Sequence, residues 1–322
     1  MADVTSVVSG TGKAIGRYFS VVSVLPSILL VIYVFLLASS GSWRHPPNWH
    51  DAFAAIGNLG IAGAALLAVS GIAFALVLHP LQFSMVQLLE GYWGTGWLAQ
   101  RIRASRILRH HEHKRCLNRA AASAKSSLDK LKQGSELNRR VRLFSMRDEA
   151  MRIWRGYPAD PDHIMPTRLG NMLRRYEVLS GAPYELDAPT VLPCLALVAP
   201  PGHLDYLNDQ RSGLDLAVRT SMTSGIACIV TLVFLWHSGL WLLIALIPYG
   251  VAYAAYRGSV IAAQSYGIAM AAVIALNRFA LYDYLHMEQP LTTARERKMN
   301  KTLMYLLRDY DPEASLIYRY PK

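Results

Sequence analysis

Charge is what this chain has least of. Asp, Glu, Lys and Arg make up 17% of its 322 residues, whereas 52% are hydrophobic. A soluble fold is about a quarter charged, so this composition points to a membrane protein. Cysteine is scarce as well: Cys116, Cys194 and Cys228 are odd in number and have no CxxC spacing, which argues against a disulfide-stapled scaffold. The usual catalytic signatures are missing, with no Walker loop, GxSxG elbow, HExxH or dinucleotide fingerprint, and "SGTGKAIG" near the start follows no strand. Acids are the rarer sign, 22 against 33 Lys and Arg, for a net charge of +11. In a soluble protein that excess would suggest nucleic acid, but no recognition fold accompanies it, and nucleic acid is not expected as a partner. In a membrane protein it first suggests basic loops kept on the inner side.

What is present is long uncharged runs. Val21 to Ser40, "VVSVLPSILLVIYVFLLASS", can cross a hydrocarbon core of roughly 30 Å at about 1.5 Å per residue. Ala52 to Leu78 is a second such run. Between them "GSWRHPPNWHD" carries Trp43 and Trp49, residues that suit a membrane interface. Thr220 to Trp236 and Leu240 to Tyr256 form a tighter pair joined by "HSG", with Trp236 and Trp241 flanking the turn. The expected fold is all-α: a four-span integral membrane protein made of two helical hairpins, with a helical cytoplasmic domain.

Orientation follows from the Lys and Arg count, which is 2 in residues 1–20, 20 in 94–218 and 7 in 286–322, whereas the two short turns hold only Arg44. The cell inner (plasma) membrane is therefore expected, with both termini cytoplasmic. The divisions are a head at 1–20, a first membrane hairpin at 21–78, a cytoplasmic helical domain at 79–219, a second hairpin at 220–256, and a cytoplasmic helix and tail at 257–322. Gly258 to Leu276 is apolar enough to be read as a fifth span. The reading preferred here is a fourth helix that runs on past Tyr256 and is covered by other helices, because a helix apolar all round must be covered.

Gly57, Gly60, Ala64, Ala68, Gly71 and Ala75 step by three and four, which would place six small residues on one face for close helix packing, a subunit interface or a pore lining. Asn58 is the lone amide there, available to bond across helices or to face water. Glu90 is the one acid in His79 to Trp97, the stretch after the second run. It is read as half of an ion pair, with a cation-attracting ring in an oligomer as the sharper alternative.

"RIRASRILRHHEHKRCLNR" follows, with Arg101, Arg103, Arg106 and Arg109 leading. Beside a span, such residues attract anionic head groups at roughly 1 kcal/mol each. His110, His113 and Cys116 share a helical side, but three ligands without a fourth are weak grounds for zinc, and no metal or other cofactor is expected. Asp160, Asp162 and His163 in "YPADPDH" invite an acid-base reading, yet a proline-bounded turn is their commoner use. In "HIMPTRLGNMLRRYEVL", Thr167 is a candidate N-cap and Leu169, Leu173 and Tyr176 a candidate buried stripe. Arg168 and Arg174 lie partly outside that stripe, as contacts to lipid, neighbouring acids or a sister subunit, or as part of a solvated face.

"PLQFSMVQLLEGYWG", "PTRLGNMLRRYE" and "SYGIAMAAVIALNRFALYDYL" together resemble uncharacterised multi-pass membrane proteins of actinobacterial type. The likeness spans about two-thirds of the chain and implies a membrane location and a helical fold, with no activity attached. In topology alone, the two hairpins and helical insertion are similar to bestrophin-like chloride channels.

The leading functional expectation is a homo-oligomer that forms or gates an ion-conducting pore, its cytoplasmic helices serving sensing or assembly. The alternative is a membrane anchor or effector that recruits a cytoplasmic partner, in envelope stress or phage defence. An enzyme is not expected; a lipid-acting one would need His79, Glu90 and Asp283 to converge.

Overall fold

A computed structural model describes residues 24–43, 45–131, 137–309 and 315–319. The head, the start of the first apolar run, the "KQGSE" break and the end of the tail lie outside them. Among the described residues the regular elements are helical, apart from one isolated bridge between Met287 and Tyr318. Three helical stretches are long and apolar enough to cross a membrane: Gly60–Leu78, Pro201–Phe234 and Gly239–Tyr284.

The chain divides into two units, one drawn from Met1–Val86 with Ser212–Ser259, the other from Gln87–Arg211 with Val260–Lys322. In the first, α1 (Val24–Ser39) is the described part of the first apolar run. Its end is closed by Ser40 and Ser42, whose hydroxyls both donate to the Leu37 carbonyl at 2.7 and 2.8 Å. The second run is not one helix. It folds as α2 (Trp49–Gly57) and α3 (Gly60–Leu78), with Asn58 capping the first and Gly60 at φ +57° between them. A left-handed residue cannot continue an α-helix, and glycine takes that conformation without a Cβ clash.

This break separates Gly57, at the end of α2, from Gly60, Ala64, Ala68, Gly71 and Ala75, which all lie in α3; Gly60, Ala64 and Ala68 are exposed. Gly71 and Ala75 are buried, Gly71 against Ile28 of α1. Asn58 is exposed and serves through its backbone N–H, which reaches the Ala54 carbonyl.

The third run is the second part of a longer helix: Pro201 opens α9 (Pro201–Phe234), and no breaker stands between Arg219 and Thr220. A 3₁₀ stretch at Gly239–Ala245 then leads into α10 (Leu246–Tyr284). Pro248 has no N–H to donate to the Ile244 carbonyl, so the regular α ladder begins only after it. Tyr33 of α1 bonds Thr231 of α9 at 2.7 Å. Ser221 of α9 donates to the Ala252 carbonyl of α10 at 3.1 Å. Trp43 meets Phe234 edge-on at 5.4 Å and Trp49 lies 6.2 Å from Trp241, so the two loops share one end of the unit.

The end of α4 (Gln82–Glu90) opens the second unit, α5 (Trp97–Lys130) follows it, and α6 (Leu137–Trp154) returns along α5. Ala121, Ala124 and Ala150 are buried there, small enough to let the two backbones come close. The short α7 (Arg168–Leu179) and α8 (Ala188–Val198) follow, and α11 (Thr293–Leu307) closes the chain. Their core is Leu186, Val191, Leu195, Ile274, Leu281, Tyr282, Leu303 and Met304, shared by α8, the far part of α10 and α11. Gly258 to Leu276 is therefore part of one unbroken α10 and not a helix of its own.

Candidate functional site

The corner between α4 and α7 is built from the PTRLGN stretch. Thr167 is the N-cap of α7: its hydroxyl accepts the Gly170 N–H at 3.0 Å and donates to the Glu90 carbonyl at 2.8 Å. Asn171, 1% exposed, accepts the Met165 N–H at 2.9 Å and donates to the Met165 and Thr167 carbonyls at 2.8 and 2.7 Å. One amide thus satisfies the buried Met165 N–H and C=O, which would otherwise be unpaired, and adds a second bond to the Thr167 carbonyl, which already accepts the Asn171 N–H at 3.1 Å. Gly170 lies directly against the Glu90 carbonyl, where a Cβ would collide with backbone. Leu169 and Leu173 are buried and Tyr176 half-buried, the stripe that their spacing predicts.

Glu90 caps nothing with its carboxyl. Removal from water, and secondarily the Glu177 carboxylate, push that carboxyl up to about 7. It therefore titrates in the neutral range and, when protonated, becomes a donor.

Next to this corner, residues 157–159 are held from two helices. From α5, Lys114 donates to the Pro158 and Ala159 carbonyls at 2.6 and 3.0 Å, and His110 Nδ1 meets the Tyr157 hydroxyl at 3.0 Å. From α7, Arg175 donates to the Tyr157 carbonyl at 3.0 Å. Burial, then the Arg168 guanidinium, hold the His110 imidazole below its usual range, so it is neutral at physiological pH. The histidine pair and Cys116 are thus apart in role: His113 packs on the Tyr157 ring and Cys116 is exposed. Among the described residues no three His, Cys, Asp or Glu side chains gather as a metal site. Asp160 caps the 3₁₀ turn Pro161–His163 by accepting the Asp162 N–H at 2.9 Å.

The basic candidates separate. Arg101, Arg106 and Arg109 are exposed on α5 and Arg103 is half-buried; none pairs with an acid among the described residues. Across α5 and α6 the exposed surface also carries Leu98, Leu108, Leu137, Val141 and Phe144. Arg174 pairs with Glu177 one turn on at 3.1 Å, and Arg168 is exposed with its charge acting on His110 and Tyr157. Of the trio His79, Glu90 and Asp283, Asp283 accepts from Gln289 at 2.6 Å, and the acid acting on Glu90 is Glu177.

Two clusters were not legible beforehand. Arg278 of α10 donates to Glu296 of α11 at 2.6 Å, with the guanidinium stacked on Tyr184 and Phe279 at 4.1 and 4.2 Å. Tyr282 donates to the same carboxylate at 3.1 Å, and Asn300 donates to Tyr282 at 2.7 Å and to the Tyr184 carbonyl at 2.9 Å. Glu296 looks solvated in "ARERKMN" but is 2% exposed. The available signal was Arg278, the first charge after the uncharged stretch 258–277 of α10, which demands a partner once buried. In the first unit, buried Arg219 donates to Gln82 at 3.1 Å, and Gln82 donates to Asp215 at 3.3 Å.

A cleft of about 530 Å³ has Arg174, Lys301 and Arg308 facing Glu177, Glu185 and Asp187, so its charges balance and it draws neither sign. No family model, curated protein or solved structure matches the chain.

Proposed function

We propose that the protein is a four-span membrane protein of two hairpins, with head, helical domain and tail in the cytoplasm, whose copies assemble to form or gate an ion-conducting pore. The observation that carries this reading is α10. It is one helix from Leu246 to Tyr284, its first part lying in an apolar stretch long enough to cross a membrane. Its far part is gripped by the Arg278–Glu296 pair and by the core of α8 and α11. A rearrangement in the packed helices therefore reaches the membrane part of α10 with no intervening loop to absorb it, which is what a gate needs. Recording from the purified protein in planar bilayers tests it. Discrete currents under an ion gradient are expected, and silence under every gradient and voltage overturns the pore.

The basic α5–α6 hairpin favours a second reading, an anchor that holds a partner at the cytoplasmic face. Fourteen Lys and Arg stand on these two helices against four acids, and exposed Leu137, Val141 and Phe144 form an apolar stripe beside them. Anionic lipid is the nearest matching surface. Pull-down from native membranes that recovers a stoichiometric soluble protein supports the anchor, whereas recovery of lipid and the chain alone counts against it.

A further inference from the structure

We infer that the outward stripe of α10 beyond Ser259 is where copies of this chain meet, an inference that rests on the membrane-embedded, self-assembling reading above. On one side of this stretch Ala263, Gly267, Met270, Val273, Ile274 and Asn277 are buried. On the other, Ile261, Gln264, Ile268, Leu276 and Phe279 are exposed, with half-exposed Ala272 filling the gap between Ile268 and Leu276. The spacing is threes and fours along one face, the pattern of a helix that expects a neighbouring helix. Ile261, Ile268 and Leu276 are 66%, 50% and 67% exposed. On the four-span reading proposed above, such side chains face lipid earlier on the helix and water here.

The occupant is a second copy for two reasons. No charged side chain lies between Gly258 and Asn277, in a chain of net charge +11. Along this strip two like-charged copies can approach without charged side chains facing each other. Copies inserted the same way in one membrane also bring their α10 helices side by side, parallel and at one height, so every layer meets its own kind. Ile261 then packs on Ile261 and Ile268 on Ile268. Gln264 between them is self-complementary, because its amide both donates and accepts, and a single polar residue in an apolar seam sets the register.

The test uses the full chain in the membranes of the cells that express it, with Cys116, Cys194 and Cys228 replaced by serine and one cysteine added at a time. Mild oxidation is expected to link copies through Gln264→Cys and Ile268→Cys and to leave a Glu112→Cys control on α5 unlinked. A second measurement does not depend on removing the native cysteines. The Ile261→Lys/Ile268→Lys variant, helical by circular dichroism, is expected to fall from multimer to monomer by light scattering in detergent. Linkage at 264 and 268 no greater than at 112, or a lysine variant that stays multimeric, overturns the seam and leaves self-assembly standing. A monomeric parent overturns both. Linked multimers that pass no current support the seam and overturn only the pore.

Discussion

Arg278 of α10 meets Glu296 of α11 at 2.6 Å, with the acid 2% exposed and Tyr282 donating to the same carboxylate oxygen. Two charges removed from water are stable only while each has the other, so losing one strands its partner. Glu296→Ala is expected to destabilise the second unit by about 3–5 kcal/mol, the range for breaking a buried pair. The Arg278→Met/Glu296→Leu double variant should recover most of that loss. Denaturant unfolding followed by circular dichroism compares the two.

Asn171 supports three backbone groups at the start of α7. Asn171→Ala leaves the buried Met165 N–H and C=O without partners, at a cost of about 2–3 kcal/mol. Thermal unfolding of the variant should show a lowered midpoint, and limited proteolysis a new cut near Met165.

Gly170 is in contact with the Glu90 carbonyl. Gly170→Ala forces α4 and α7 apart and is expected to cost about 1–3 kcal/mol, although alanine is the better helix former. A Gly170→Ala variant as stable as the parent would mean that the corner yields without strain.

The Glu90 carboxyl, pushed up to about 7 by burial and by Glu177, makes stability depend on pH. Its pKa is higher in the folded state, so the folded chain binds the extra proton between the unfolded value and about 7. Stability is therefore greatest at the acid end of that window and falls as pH rises to about 7. Glu90→Gln should raise the melting midpoint at pH 8 relative to the parent, leave it nearly unchanged at pH 4, and flatten the slope between.

Replacing Arg101, Arg103, Arg106 and Arg109 with glutamine should weaken retention of anionic lipid by about 1 kcal/mol per side chain, less at high salt. Counting anionic lipids that copurify with parent and variant, by mass spectrometry, checks this. Equal retention would assign these residues to a solvated face.

Sequence spacing was enough to locate α7 and its cap. Thr167 stands before an apolar stripe of period 3.6, and both the cap bond and the burial of Leu169 and Leu173 are local consequences of that pattern. The break at Gly60 was not legible, because an uncharged run reads as one helix whether or not a single residue has positive φ. Fourteen basic side chains on α5 and α6 declared themselves by number. Which of the second unit's charges would be buried did not.

By itself the sequence determined what solvent each part of the chain needs. Long uncharged runs, charge confined between and after them, and tryptophans at the turns are set by composition, since transfer from water acts on each residue almost independently of its neighbours in space. Only tertiary structure decided the partners. Glu296 found Arg278, Asn171 found the Met165 backbone, and the inner and outer sides of α10 were told apart, because these depend on which helices meet, and in a helix apolar on every side no periodicity says which face will be covered.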